Sequence, residues 1–166
     1  MIFAPPGTLV TGSYDGVILV TQLETWHVIH TLEPEGKGSV EKRKINNYAV
    51  IYLKPLAALL SVGSEGILRI WDIVLGSLIA EIDCKLDRLE GIFAMVCNAH
   101  SNIIYMGDAS GRVTTWSINS NHEVAHIKSL QAHTRAITAL LLIESMGLLV
   151  TASEDCSIRL FTVTLF

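Results

Sequence analysis

Charged side chains are scarce. They make up 17% of the 166 residues, where a soluble domain usually has about a quarter. Lys and Arg total 12 against 16 Asp and Glu, for a net charge of −4. No basic stripe is left to neutralise phosphates, so nucleic acid is not an expected partner. The one basic cluster, Glu41 to Lys44, lies in the run EPEGKGSVEKRK, where Glu33, Glu35 and Glu41 offset it. It reads as a solvated loop, with a nuclear-import patch as the alternative. Cysteine is also sparse: Cys84, Cys97 and Cys156 are too few and too far apart for a disulfide framework or a C-x-x-C metal site. All three sit in or beside apolar runs, so core packing in a reducing compartment is expected of them. Long apolar runs are missing too. AITALLLI stops at Glu144, well short of the ~20 residues of a membrane span. The opening MIFAPPGTLV has no basic n-region and so does not read as a signal peptide. The expectation is an intracellular chain without membrane contact, cytoplasmic first, with cilium and nucleus as alternatives.

Half of the residues are apolar, and the mean hydropathy is +0.44. A single domain of this length has difficulty hiding so much apolar surface, so the composition suits a piece of a larger body better than a free-standing enzyme. What fills the chain is a repeat. With the turn residue taken as zero, Gly16 leads to VILVTQ, Gly66 to ILRIWD, Gly111 to RVTTWS and Cys156 to SIRLFT. The second and fourth positions are apolar or β-branched: Ile18 and Val20, Leu68 and Ile70, Val113 and Thr115, Ile158 and Leu160. The fifth holds Thr21, Trp71, Trp116 and Phe161. Upstream of each copy runs a second apolar stretch, TLVTGS, LLSVGS, IIYMGD or LLVTAS. Short alternating strands with turn signals between them predict an all-β repeat of four-stranded antiparallel units.

The frame resembles the WD40-repeat β-propeller family, most clearly in GSEGILRIWDI and TASEDCSIRLFT. The resemblance covers nearly the whole chain, in divergent repeats. It implies structural roles for Asp15, Trp71, Asp72, Trp116, His133, Thr151, Ser153, Asp155 and Phe161. The family's buried hydrogen-bonded group would consist here of His133 (after Ala132, at the Gly-His position), Thr151 or Ser153, and Asp155. Phe161 would stand for the Trp, without an indole N–H to donate. The other copies are degenerate, with Thr21 for the Trp in the first and Glu65 for the Asp in the second.

The predicted boundaries are blade 1 at about 8–33 without its first strand, a loop at 34–46, blade 2 at 47–84, blade 3 at 91–130, and blade 4 at 133–166 without its last strand. Three, four, four and three strands make an incomplete ring, since propellers need 4–8 four-stranded blades. Three arrangements fit this count: an excerpt of a longer WD-repeat protein whose missing blades lie elsewhere, a half-ring completed by a second propeller half, and a small four-blade ring. The polar insert after blade 1 resembles those of large divergent WD-repeat proteins, cilium-associated ones among them.

One stretch suggests catalysis. His122 to His126, HEVAH, matches the H-E-x-x-H pattern of zinc hydrolases, which needs both His on one helix face and the Glu as general base. Here an Asn-Ser-Asn turn and an alternating run surround it, where the repeat places an outer strand. Residues four apart on a strand lie about 13 Å apart, too far to share an ion with Zn–N bonds of about 2.0 Å. EGKGSV lacks the order of a phosphate loop, and Asp83 and Asp87 read as part of a connecting loop. The expectation is therefore no enzyme, no metal and no cofactor. The resemblance implies instead a scaffold that binds other proteins or peptides, with Tyr14, Asp108, Arg135 and Glu154 as candidate contacts. The Trp-Asp-x-Arg sequence common in cullin-ligase receptors is absent, with Val74, Asn119 and Thr164 at the Arg positions. The alternatives are the zinc hydrolase and a structural fragment with no binding activity of its own.

Overall fold

The computed structural model describes residues 1–34, 46–84, 91–98 and 100–163. These form fifteen strands in four antiparallel sheets, one sheet per repeat. Blade 1 consists of β1 (Ile2–Ala4), β2 (Thr8–Gly12), β3 (Ile18–Gln22) and β4 (Val28–Leu32). Blade 2 has β5 (Asn47–Leu53), β6 (Ala58–Gly63), β7 (Ile67–Asp72) and β8 (Ser77–Asp83). Blade 3 has β9 (Ile92–Asn98), β10 (Ile103–Asp108), β11 (Arg112–Ile118) and β12 (Val124–Gln131). Blade 4 has three strands, β13 (Ile137–Ile143), β14 (Leu148–Ser153) and β15 (Ile158–Thr162).

Blade 1 differs from the expectation. It is four-stranded, because Ile2–Ala4 pairs with β2 in the register Ile2 to Val10 and Ala4 to Thr8. A strand of three residues is too short to show alternation, so it escapes a periodicity reading. The predicted loop 34–46, with its Glu41–Lys44 cluster, lies almost wholly outside the described residues, as do Asp87 and Thr164. Among the described residues no helix is long and apolar enough to cross a membrane.

Period-two alternation gives every blade two faces, and the cross-strand rows show how they stack. In blade 2 the row Tyr52, Leu59, Trp71 and Leu78 shares a core with Val10, Ile18 and Val20 of blade 1. Its other face, the row Ile51, Leu60, Ile70 and Ala80, meets Ile104, Met106 and Trp116 of blade 3. The far face of blade 3 brings Tyr105 and Val113 against Ile137, Leu149 and Phe161 of blade 4. β6 is buried along its whole length because blade 2 is covered on both sides. Each fully buried Leu or Ile contributes about 1.5–3 kcal/mol, so the interfaces between blades are the core.

The first strands line the axis. Ile2 and Phe3, Ile51 and Tyr52, Val96 and Cys97, and Leu141 and Leu142 together border a cavity of about 610 Å³. Packing runs from blade 1 to blade 2 to blade 3 to blade 4, and no comparable contact joins blade 4 to blade 1 among the described residues. The ring is open.

Candidate functional site

The densest polar group lies in blade 4, where His133 leads into β13 and Asp155 sits in the β14–β15 turn. His133 Nδ1 is 2.9 Å from Asp155 Oδ2, and its Nε2 is 2.6 Å from Thr151 Oγ1. The carboxylate accepts from Nδ1–H, and the Thr151 hydroxyl bound to Nε2 also donates to the Arg159 carbonyl at 3.4 Å. Asp155 also accepts from the Ser157 hydroxyl at 2.6 Å, the Ser157 amide at 3.0 Å and the Thr134 amide at 3.2 Å. The Ser157 hydroxyl, with the Thr134 amide and His133, holds the Asp155 carboxyl well below the usual carboxylate range, although desolvation opposes them with an effect second only to that of Ser157.

Thr151, His133 and Asp155 thus have the connectivity of a nucleophile, its base and the group that orients the base. Burial separates them from that role. Thr151 is 0% and His133 1% exposed, so no substrate carbonyl reaches the hydroxyl. The group ties the blade entry to two strands and a turn. Of the two expected hydroxyls it takes Thr151, while Ser153 donates to the Arg135 carbonyl at 3.0 Å. Ser157 was not expected. Its signal was the D-x-S spacing of a turn whose carboxylate caps the amide two residues on.

The other blades solve the same problem with different groups. Trp71 donates its indole N–H to Ser61 Oγ at 2.9 Å, and Asp72 caps the turn after it by accepting from the Val74 and Leu75 amides. In place of a His, blade 2 buries Arg69, paired with Glu65 and Glu81. Trp116 donates to Thr114 Oγ1 at 2.9 Å on its own strand and stacks edge-on against His126. Asp15 is exposed in its turn and accepts from the Val17 amide at 3.1 Å. That amide, with Ser13, lowers its pKa.

The candidate contact residues divide. Tyr14, 63% exposed, Arg135 and Glu154 sit on the surface. Asp108 does not. It is 6% exposed, and its carboxylate is taken up by the Ser110 amide and hydroxyl and by Arg112. A turn Asp two residues before a Ser and four before an Arg closes on itself, so Asp108 is corrected to a structural residue. Cys156 is a second correction: it is exposed in the last turn at φ 65, not part of a core. Burial pushes the Cys84 thiol up to about 12 and the Cys97 thiol up to about 11, so neither supplies a thiolate.

The HEVAH segment is a turn followed by a strand. His122 adopts φ 62 in the turn, and β12 begins at Val124. Among the described residues the His122 Nε2 is buried without a hydrogen-bond partner. However, Glu123 is bound by Asn119 at 2.7 Å and His126 by Ser129 at 2.9 Å. The helix that the zinc arrangement requires is not there. No group of three His, Cys, Asp or Glu side chains placed to hold a metal occurs among the described residues.

A feature the sequence reading missed spans three blades. The first strands of blades 2, 3 and 4 each carry a bulge at the same place, leaving Tyr48, Phe93 and Thr138 out of register. Bulges re-aim side chains. Here the Tyr48 and Phe93 rings lie 4.5 Å apart, and Tyr14 meets Tyr48 edge-on at 6.1 Å. Tyr14, Tyr48 and Phe93 form one aromatic line across the loop ends of blades 1, 2 and 3.

Residues 125–162 match the family model for the WD domain, G-beta repeat, which covers β12 to β15. An uncharacterized WD repeat-containing protein of Schizosaccharomyces pombe is 28% identical over 111 residues, covering 62% of this chain and 27% of that protein. The chain therefore spans about a quarter of the length of the curated relative it matches. The chain is thus similar to WD-repeat proteins, in the repeat at residues 125–162, in the 111 residues aligned with this relative and in its succession of antiparallel sheets.

Proposed function

We propose that this chain is a non-catalytic scaffold that takes a peptide or a protein loop across the aromatic line Tyr14–Tyr48–Phe93. WD40 domains generally bind other proteins, and these three rings, contributed by three blades, are the observation that carries the reading. Tyr side chains offer large, rigid, amphipathic contact area at low entropic cost, and Tyr14 is 63% exposed. Arg135 and Glu154 mark the same loop end of blade 4 and extend the surface with both signs of charge. The net charge of −4 supports a protein rather than a nucleic-acid ligand. Three free thiols suit a reducing, intracellular setting, cytoplasmic in the first instance.

The test is selection from a displayed random peptide library on the wild-type chain and on a Tyr14→Ala/Tyr48→Ala variant. The wild type is expected to enrich one motif, and the variant to bind that motif at least ~30-fold more weakly, as loss of a hot spot does. Circular dichroism checks that the variant is folded, because the Tyr48 ring also packs on Phe93 of the next blade and its hydroxyl accepts from the Asn46 amide at 3.2 Å. No enriched motif, or one bound equally well by both proteins, would sink the reading.

A further inference from the structure

We infer that the aromatic line takes a proline-rich segment in the polyproline II conformation, with a Lys or Arg of the ligand beside Asp15. This rests on Tyr14, Tyr48 and Phe93 being the binding line, and it names what they bind. A peptide can dock as an added strand, as a helix in a groove, or as a polyproline II helix on aromatic rings. Strand addition needs a sheet edge, and none runs along these rings. Tyr14 lies in the β2–β3 turn, while Tyr48 and Phe93 sit in the bulges of β5 and β9. The line therefore crosses three sheets at their ends.

The ring geometry suits polyproline II. Tyr14 and Tyr48 are 6.1 Å apart, and Tyr48 and Phe93 4.5 Å. The two steps together come close to one turn of such a helix, three residues at about 3.1 Å each. The ring planes are set at 69° and 49° to one another, which makes a row of faces and edges on which pyrrolidine rings pack. Tyr14 is exposed and the other two rings are partly buried, so the row is shallow. A shallow row favours a ligand that is already rigid, because little conformational entropy is lost on docking. The hydroxyls match the same ligand. That of Tyr48 accepts from the Asn46 amide at 3.2 Å, which leaves its own proton to donate. Among the described residues nothing takes that proton or the proton of Tyr14. The carbonyls of a polyproline II helix make no internal hydrogen bonds, so they are free to accept from both. Asp15 is exposed beside Tyr14 in the same turn, and the Val17 amide and Ser13 favour its charged form. It gives that end of the line a carboxylate complementary to a basic residue of the ligand.

The test presents two displayed peptide libraries to the full 166-residue chain. They are identical except that two positions three apart are fixed as proline in one and as serine in the other. Binders are expected from the proline library, with Lys or Arg enriched at one end. Tyr14→Phe and Tyr48→Phe keep the rings and remove the hydroxyls, and each should weaken those binders about 3–10-fold, as loss of one hydrogen bond does. Tyr14→Phe alters an exposed side chain, so it reads the effect even if Tyr48→Phe disturbs Asn46. Asp15→Asn should abolish the enrichment of the basic residue in a repeated selection, and unchanged enrichment overturns the role of Asp15. Equally tight binders from the serine library, lost in Tyr14→Ala/Tyr48→Ala, overturn the proline preference and leave the scaffold reading standing. Proline-library binders indifferent to both Phe variants overturn it as well. No binder from either library overturns both readings.

Discussion

Replacing Trp71 with Ala is expected to lower the unfolding free energy by about 3–5 kcal/mol, as loss of a buried aromatic does. Trp71 is 2% exposed and fills the space between blades 1 and 2, against Val10, Ile18, Val20 and Leu59. Truncation leaves a cavity between two sheets that are each pinned by their own ladders, so collapse cannot close it. It also strips Ser61, 0% exposed, of the indole donor that satisfies its hydroxyl. Domain stabilities run to about 5–15 kcal/mol, so the change consumes a large share of the total. Urea denaturation of both proteins measures it. Trp26→Ala is the control: at 69% exposed it should change stability by less than ~0.5 kcal/mol. Equal effects for the two would show that Trp71 is not an interface residue.

Gly111→Ala should cost about 3 kcal/mol, far more than an Ala at most turn glycines. Gly111 turns β10 into β11 at φ +85, and a Cβ there would lie 2.4 Å from the His133 carbonyl oxygen and 2.6 Å from that of Arg135. Both are backbone atoms, so no side chain can swing aside. The Gly111 carbonyl also accepts the Ala132 amide at 3.0 Å and the His133 amide at 2.9 Å. Relieving the clash therefore moves the segment that seats His133 between Thr151 and Asp155, and the cost adds to the ~1–2 kcal/mol of a left-handed non-glycine residue. Gly7 separates the two contributions. Its φ is +59, but nothing lies within 4 Å of a Cβ there, so Gly7→Ala should show the backbone cost alone. Thermal melts of the pair, read with the imidazole NMR signal of His133, give the comparison. Similar losses for both would remove the link between the blade 3 turn and the blade 4 polar group.

The repeat was legible in the sequence because stacking blades requires apolar alternation and turns to persist while individual polar groups drift. Trp71, Trp116 and Phe161 marked the places where one blade leans on the next. The strand Ile2–Ala4 escaped because three residues carry no period. Asp108 was misread because a turn carboxylate looks the same on paper whether it faces solvent or closes on Ser110 and Arg112. The aromatic line depends on bulges, and a bulge is a matter of register between strands rather than of composition. A trace did exist: Tyr48, Phe93 and Thr138 are spaced by the same 45 residues as Trp71, Trp116 and Phe161. An alternation reading assigns Tyr48 and Phe93 to blade faces, and only the paired strands show them turned to the loop end.

The most direct measurement is native-state hydrogen exchange, followed strand by strand. In a stack of blades, inner strands have both edges paired and both faces covered, while the rim strands β4, β8 and β12 leave one edge open to water. The slowest amides are expected in β6, β7, β10 and β11, with His122 to His126 exchanging fast and in the alternating pattern of an edge strand. Protection no greater in those four strands than at the rim, or continuous protection through HEVAH as in a helix, would contradict the propeller segment and reopen the catalytic reading.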